Sequence, residues 1–134
     1  MLERWRGRGR RITFGNGTKA TALYAAIDHG KQSFWMAAVW PDCVEIPFKS
    51  LKIRPPFDKL ALRGDLRSRL NQMEGVDLPA DRIGKVPRFP SEVLLDPVRR
   101  AQFLEVDDWF EATVRALPIE LTGPLVTAEE DLAA

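Results

Sequence analysis

The hydrophobic period of this chain changes at RPPF, residues 54–57, and that single change restricts the folds open to it. Before it, short apolar runs separated by turn chemistry read as strands: RITF at 11–14, TALYAAI at 21–27, QSFWMAAVW at 32–40 and VEIPFKSLKI at 44–53. GNG at 15–17, DHGK at 28–31 and PDC at 41–43 supply the turns. In the last run Val44, Ile46 and Phe48 alternate with Glu45, Pro47 and Lys49, the period of a strand with one dry face. Pro47 has no ladder donor, which argues for an edge position or an irregularity there. The alanines of 21–27 suit a helix as well as a strand.

After RPPF the period becomes helical. Leu62, Leu66, Leu70 and Met73 form one stripe, with Asp58 as the expected N-cap and Gly75 as the terminator. Gly64 weakens that helix by up to ~1 kcal/mol relative to alanine, so tertiary packing has to hold it. Residues 74–92 are rich in Pro and Gly and predict an irregular crossing with one helical turn. A second helix follows, capped by Asp96 with Pro97 in its first position. Phe103, Val106, Phe110, Val114 and Leu117 line its apolar face until Pro118 ends it, and Glu111 and Arg115 form an i, i+4 pair on its wet side.

Strands first and helices second imply an α+β fold: a small antiparallel β-meander of three to four strands, followed by two amphipathic helices packed on one face. Phe34, Trp35, Trp40, Phe48, Phe103, Trp109 and Phe110 are its expected core aromatics. The expected division is a flexible basic arm at 1–10, one α+β domain at 11–117 and an acidic tail at 118–134 carrying Glu129, Glu130 and Asp131. At 134 residues, 45% of them hydrophobic, the chain has material for one modest core and no second domain.

Net charge is +1, but the charge is unevenly laid out. Residues 1–60 carry 11 basic and 5 acidic side chains, whereas residues 61–134 carry 9 basic and 14 acidic. Such polarity marks either a charged partner surface or internal neutralisation. Cys43 is the lone cysteine and His29 the lone histidine, which rules out an internal disulfide and argues against a zinc site; no cofactor is implied. A reducing cytoplasmic setting fits. No apolar run approaches the ~20 residues of a membrane span.

The cationic feature with most functional content is RWRGRGRR at 4–11. Arg4, Arg6, Arg8, Arg10 and Arg11 suit phosphate neutralisation, Trp5 offers a stacking face, and the glycines keep the segment adaptable. The competing readings are a solvated basic end without a role, and an end that meets a protein partner or docks on the acidic helical half. Lys49, Lys52 and Arg54 follow an aromatic strand and extend the cationic patch, although lysines also guard sheet edges against pairing.

Other motifs read as structure. PDCVEIPFK resembles a metal-nuclease pattern, with Asp28, Asp42 and Glu45 as carboxylates, but Glu45 and Lys49 are four apart where that pattern needs two. His29 sits in a tight turn beside Asp28 without a positioned nucleophile. Cys43 reads as an inert thiol and FGNG as a hairpin turn rather than a phosphate cradle. The prolines of KIRPPFD stiffen the passage from sheet to helix, with Phe57 packed beneath.

VWPDCVEIPFKSLKIRPPF at 39–57, LRSRLNQMEGVDLP at 66–79 and FLEVDDWF at 103–110 together resemble a C-terminal accessory module of uncharacterised bacterial proteins, some with nuclease-like or DNA-related domains. The likeness spans about residues 12–117 and departs at Cys43, where a glycine is expected. It implies a bacterial accessory domain in a DNA-processing or defence setting and carries over no residue role. The expected function is a non-catalytic module that contacts nucleic acid or a DNA-processing partner through its basic arm and sheet edge. The alternatives are a protein-interaction module that self-associates as a homo-oligomer, and a metal-dependent hydrolase.

Overall fold

The computed structural model describes residues 1–14 and 21–122. The GNG turn and the acidic stretch at 129–131 lie outside the described residues. The fold is α+β, built on a six-stranded antiparallel sheet rather than three or four strands.

β1 (Arg11–Phe14) pairs with β2 (Leu23–His29), placing Ile12 opposite Ala25 and Thr13 opposite Tyr24. The alanine-rich run is thus a strand, and alanine suits it because Ala25 and Ala26 are both buried, one on each face. The other edge of β2 carries two short strands in succession, β3 (Gln32–Phe34) and β4 (Ala38–Val39), where one long strand was expected. Between them the chain buries both sides. Phe34 and Met36 enter the main core, while Trp35 lies 5.5 Å from Tyr24 in a small cluster of its own.

β5 (Cys43–Glu45) follows β4, and β6 (Arg88–Pro90) closes the sheet in the order β1-β2-β4-β5-β6, with β3 off the path beside β2. The strand expected through Lys49 stops at Glu45. Pro47 opens a one-turn helix at Phe48–Leu51, because the Pro47 carbonyl accepts from Ser50 and Leu51 N–H at 3.1 and 3.0 Å. Val44, Ile46 and Phe48 are nonetheless all fully buried, so the alternation survives the change from strand to turn.

In chain order the helices are α1 (Leu2–Gly7), α2 (Phe48–Leu51), α3 (Leu60–Leu70) and α4 (Pro97–Arg115). Leu66, Leu70 and Met73 are buried as the stripe requires, with Leu62 at the core margin. Asp58 does not cap α3: the N-cap is Lys59, with no side-chain bond. Gly75, at φ +87°, serves a turn beyond the helix, and Asn71 closes the C-terminal end. Asn71 also bonds both N–H and C=O of Leu78, folding the chain back over α3.

α4 forms as expected, with Asp96 accepting from Arg99 N–H at 3.0 Å and Phe103, Val106, Phe110 and Val114 buried. Phe57 is buried beneath the proline passage, stacked on Phe110 at 4.9 Å and edge-on to Trp109 at 6.0 Å. Among the described residues no helix is long and apolar enough to cross a membrane.

The mobile arm expected at residues 1–10 is instead α1 and its exit turn, held against the domain. Trp5 is 4% exposed and belongs to the main core, and Gly9, at φ +74°, turns the chain from α1 into β1.

Candidate functional site

The arginines of the first segment divide by what meets them. The Trp5 indole donates to Asp107 at 2.8 Å, and Arg10 reaches Asp107 at 3.0 Å, Glu111 at 2.7 Å and the Ala25 carbonyl at 3.2 Å. Arg10 is 5% exposed. Arg4 and Arg8 both pair with Asp108 nearer the surface. Arg11 grips Asp28 with two nitrogens, at 3.0 and 3.1 Å, and also reaches Thr13 and Ser33. Arg6 alone in this group is exposed with no ion pair among the described residues. A stacking role for Trp5 and phosphate contact by Arg10 are incompatible with this placement, because both side chains are inside the fold.

Glu111 is likewise not on a wet side. It is 7% exposed and holds Arg10 and Arg115 together. Burial pushes its carboxyl up, but the two guanidiniums outweigh that and leave it below its ordinary value. Asp107 shifts the other way: burial dominates over Arg10 and the Trp5 indole, and its carboxyl is raised. Removing one partner from a buried pair of this kind costs about 3–5 kcal/mol, since the remaining charge is left without compensation.

Arg54 also leaves the expected patch. It is 3% exposed, donates to the Ser33 carbonyl at 2.9 Å and lies over the Trp35 ring at 5.7 Å. Lys49 and Lys52 do stay in solvent, on α2 and just after it rather than on a strand. The backbone brings a third lysine to them. Lys49 N–H donates to the Lys85 carbonyl at 2.9 Å, and the Lys52 ammonium lies over Gly84, 3.6 Å from where a Cβ would stand. Lys85 N–H in turn bonds the Arg82 carbonyl at 3.0 Å.

Lys49, Lys52, Arg82 and Lys85 thus share one exposed region where α2 meets the 82–88 crossing, and among the described residues none has an ion pair. Asp81 and Glu45 are the acidic residues nearest them in the chain and leave them unpaired. Sequence reading missed Lys85 and Arg82 because they lie some thirty residues from Lys49 in a segment without period. The available signal was the run of cations at Arg82, Lys85 and Arg88 within it.

In comparisons with known proteins, no family model, no curated protein and no solved structure matches this chain. The geometry therefore carries the functional argument alone.

The proposed nuclease carboxylates do not converge. Asp28 is taken by Arg11, whose hydrogen bond holds its carboxyl below the ordinary range. Asp42 lies in the β4–β5 turn, and Glu45 stands opposite Arg88 across the β5–β6 ladder. Among the described residues no three of His, Cys, Asp and Glu come together as metal ligands. Cys43 is buried, and burial, then Asp42, pushes its thiol up, away from the reactive thiolate. His29 has a structural partner: its Nε2 donates to the Leu117 carbonyl at 2.6 Å, tying the β2–β3 turn to the end of α4.

Proposed function

We propose that this chain is a non-catalytic binding module whose partner is a nucleic acid, engaged through Lys49, Lys52, Lys85 and Arg82. The observation that carries the reading is the contrast between two sets of cations. Those of the first segment are neutralised by Asp107, Asp108, Glu111 and Asp28, whereas those around α2 are exposed and unpaired on backbone fixed by sheet and helix contacts. Fixed, unneutralised lysines gain affinity for a polyanion by releasing its condensed counterions, which makes binding salt-sensitive and largely independent of sequence. Arg6 is the one residue of the expected arm that remains available to the same partner.

The test is titration of the whole chain with DNA and RNA over a salt series, beside Lys49→Gln/Lys52→Gln/Lys85→Gln and, separately, Arg6→Gln. Affinity that falls with salt and is lost in the triple variant supports the reading. Affinity unchanged in the triple variant, or none in the parent at low salt, removes it.

A protein-interaction module is the second reading, favoured by Leu95 and Val98, 77% and 67% exposed at the start of α4. Light scattering separates the two, because self-association that Val98→Asp disrupts belongs to this reading alone.

A further inference from the structure

We infer that the lysine-rich face selects duplex nucleic acid, held by its backbone phosphates, over a single strand. The inference rests on the nucleic-acid reading above and adds which form is bound.

Proteins that hold single strands combine a cationic track with aromatic rings on which bases stack, each stacked base contributing about 1–3 kcal/mol. This face has the cations and lacks the rings. Trp5 and Trp35 are buried, and the Trp109 ring is covered by the Arg69 guanidinium at 4.3 Å. Among the described aromatics Phe14 alone is more than half exposed, and it lies on β1, the far edge of the sheet from β5 and β6. At ~4.8 Å per strand, the order β1-β2-β4-β5-β6 separates it from the cationic face by roughly 14–19 Å. Trp40 is half-buried at the β4–β5 turn.

Without stacking, a flexible strand would have to be ordered on the surface by charge alone. A duplex is already ordered and presents one phosphate charge per ~1.7 Å of its axis, so a cluster of cations on hydrogen-bonded backbone meets several phosphates without the cost of ordering the strand. The side-chain chemistry agrees. Three of the four cations are lysines, which act on phosphates as point charges and do not stack on bases as planar arginine forks do. Two arginines of the expected cationic set, Arg10 and Arg54, are buried and take no part in such stacking.

The deciding experiment is fluorescence anisotropy of the full chain with a short labelled DNA duplex and with each of its separated strands, at matched nucleotide concentration and over a salt series. The expected result is at least about fivefold tighter binding to the duplex, with a log–log salt slope near −3 for three to four neutralised phosphates. Lys49→Gln/Lys52→Gln/Lys85→Gln should flatten that slope to below about −1 while the circular dichroism spectrum stays that of the parent. A strand bound as tightly as the duplex overturns the preference while leaving the nucleic-acid reading in place. Binding to neither form removes that reading itself, and duplex binding with an unaltered slope in the triple variant moves the contact away from this face. A single lysine reversal, Lys85→Glu, serves as the second probe should the triple variant fail to fold, and it must weaken duplex binding for the assignment to stand.

Discussion

Two glycines show how much a single position depends on what surrounds it. Gly30 turns β2 into β3 at φ +63°, and a Cβ there would meet Thr122 Oγ1 at 2.5 Å and Ile119 Cγ2 at 3.0 Å. Gly64 sits inside α3 with open space where its side chain would be. The same substitution should therefore act in opposite directions. Gly64→Ala is expected to stabilise the protein by up to ~1 kcal/mol through helix propensity. Gly30→Ala is expected to destabilise it by about 1–3 kcal/mol, from left-handed backbone strain and displacement of Thr122. Chemical denaturation of both variants checks the pair, and a stabilised Gly30→Ala would contradict the close approach. His29 contributes to the same junction through the Leu117 carbonyl, which is why the DHGK turn is structural here.

At the scale of elements, two sets of ion pairs control how the fold responds to acid: Arg11 with Asp28 between β1 and β2, and Arg10 with Asp107 and Glu111 of α4. Asp28 and Glu111 have lowered carboxyls, so the stability they contribute is complete above their unfolded values and is lost as pH falls through the lower folded ones. Asp107 is raised and has the opposite sign: what it contributes is complete below its unfolded value and is lost as pH rises through the folded one. Acid therefore weakens the hold of Glu111 on Arg10 while relieving the burial of Asp107. The expected net result is a falling thermal midpoint below about pH 4, with Glu111→Gln less stable at neutral pH and flatter across the acid range. Calorimetry over that range tests it, and a parallel shift of the two curves would exclude Glu111 as the titrating group.

The same elements show what could be read beforehand. The start and apolar stripe of α4 were legible because its cap, first-turn proline and apolar spacing agree with one another, whereas Glu111, read as its wet side, is buried. The beginning of α1 was not, since six residues containing two arginines have no apolar stripe and propensity alone would not make them a helix. What orders them is Trp5, one large ring with a donor that needs an acceptor, and the acceptor is about a hundred residues away. β6 escaped notice for a related reason, because three residues that follow Pro87 and end in Pro90 are too short to show a period. The Lys49 and Lys52 candidates were legible as cations, but their place on a helical turn follows from Pro47, which ends the strand.

On the scale of the whole molecule, the uneven charge of the sequence resolves into internal neutralisation at one place and surplus at another. The excess of acid in the second half meets the first segment at Asp107, Asp108 and Glu111, and the lysines near α2 are left over. α4 is consequently the element on which the rest closes: Trp5 and Arg10 bind its middle, and His29 its end. A chain ending at residue 96 should lack cooperative unfolding, whereas removal of an accessory helix would leave a transition intact. Thermal melts followed by circular dichroism distinguish these, and a sharp transition in the truncated chain would show that the sheet stands without α4.

The distance along the chain between the two halves of this clasp also sets an order of events during synthesis. Trp5 and Asp107 are 102 residues apart, so at ~5–20 residues per second the ribosome takes roughly 5–20 s to supply the carboxylate after the indole. For that interval Trp5 and Arg10 are without the carboxylates that hold them in the fold. The buried pairs of Trp5 and Arg10 with Asp107 and Glu111 therefore close only after α4 has been made, which places the docking of α1 late in folding.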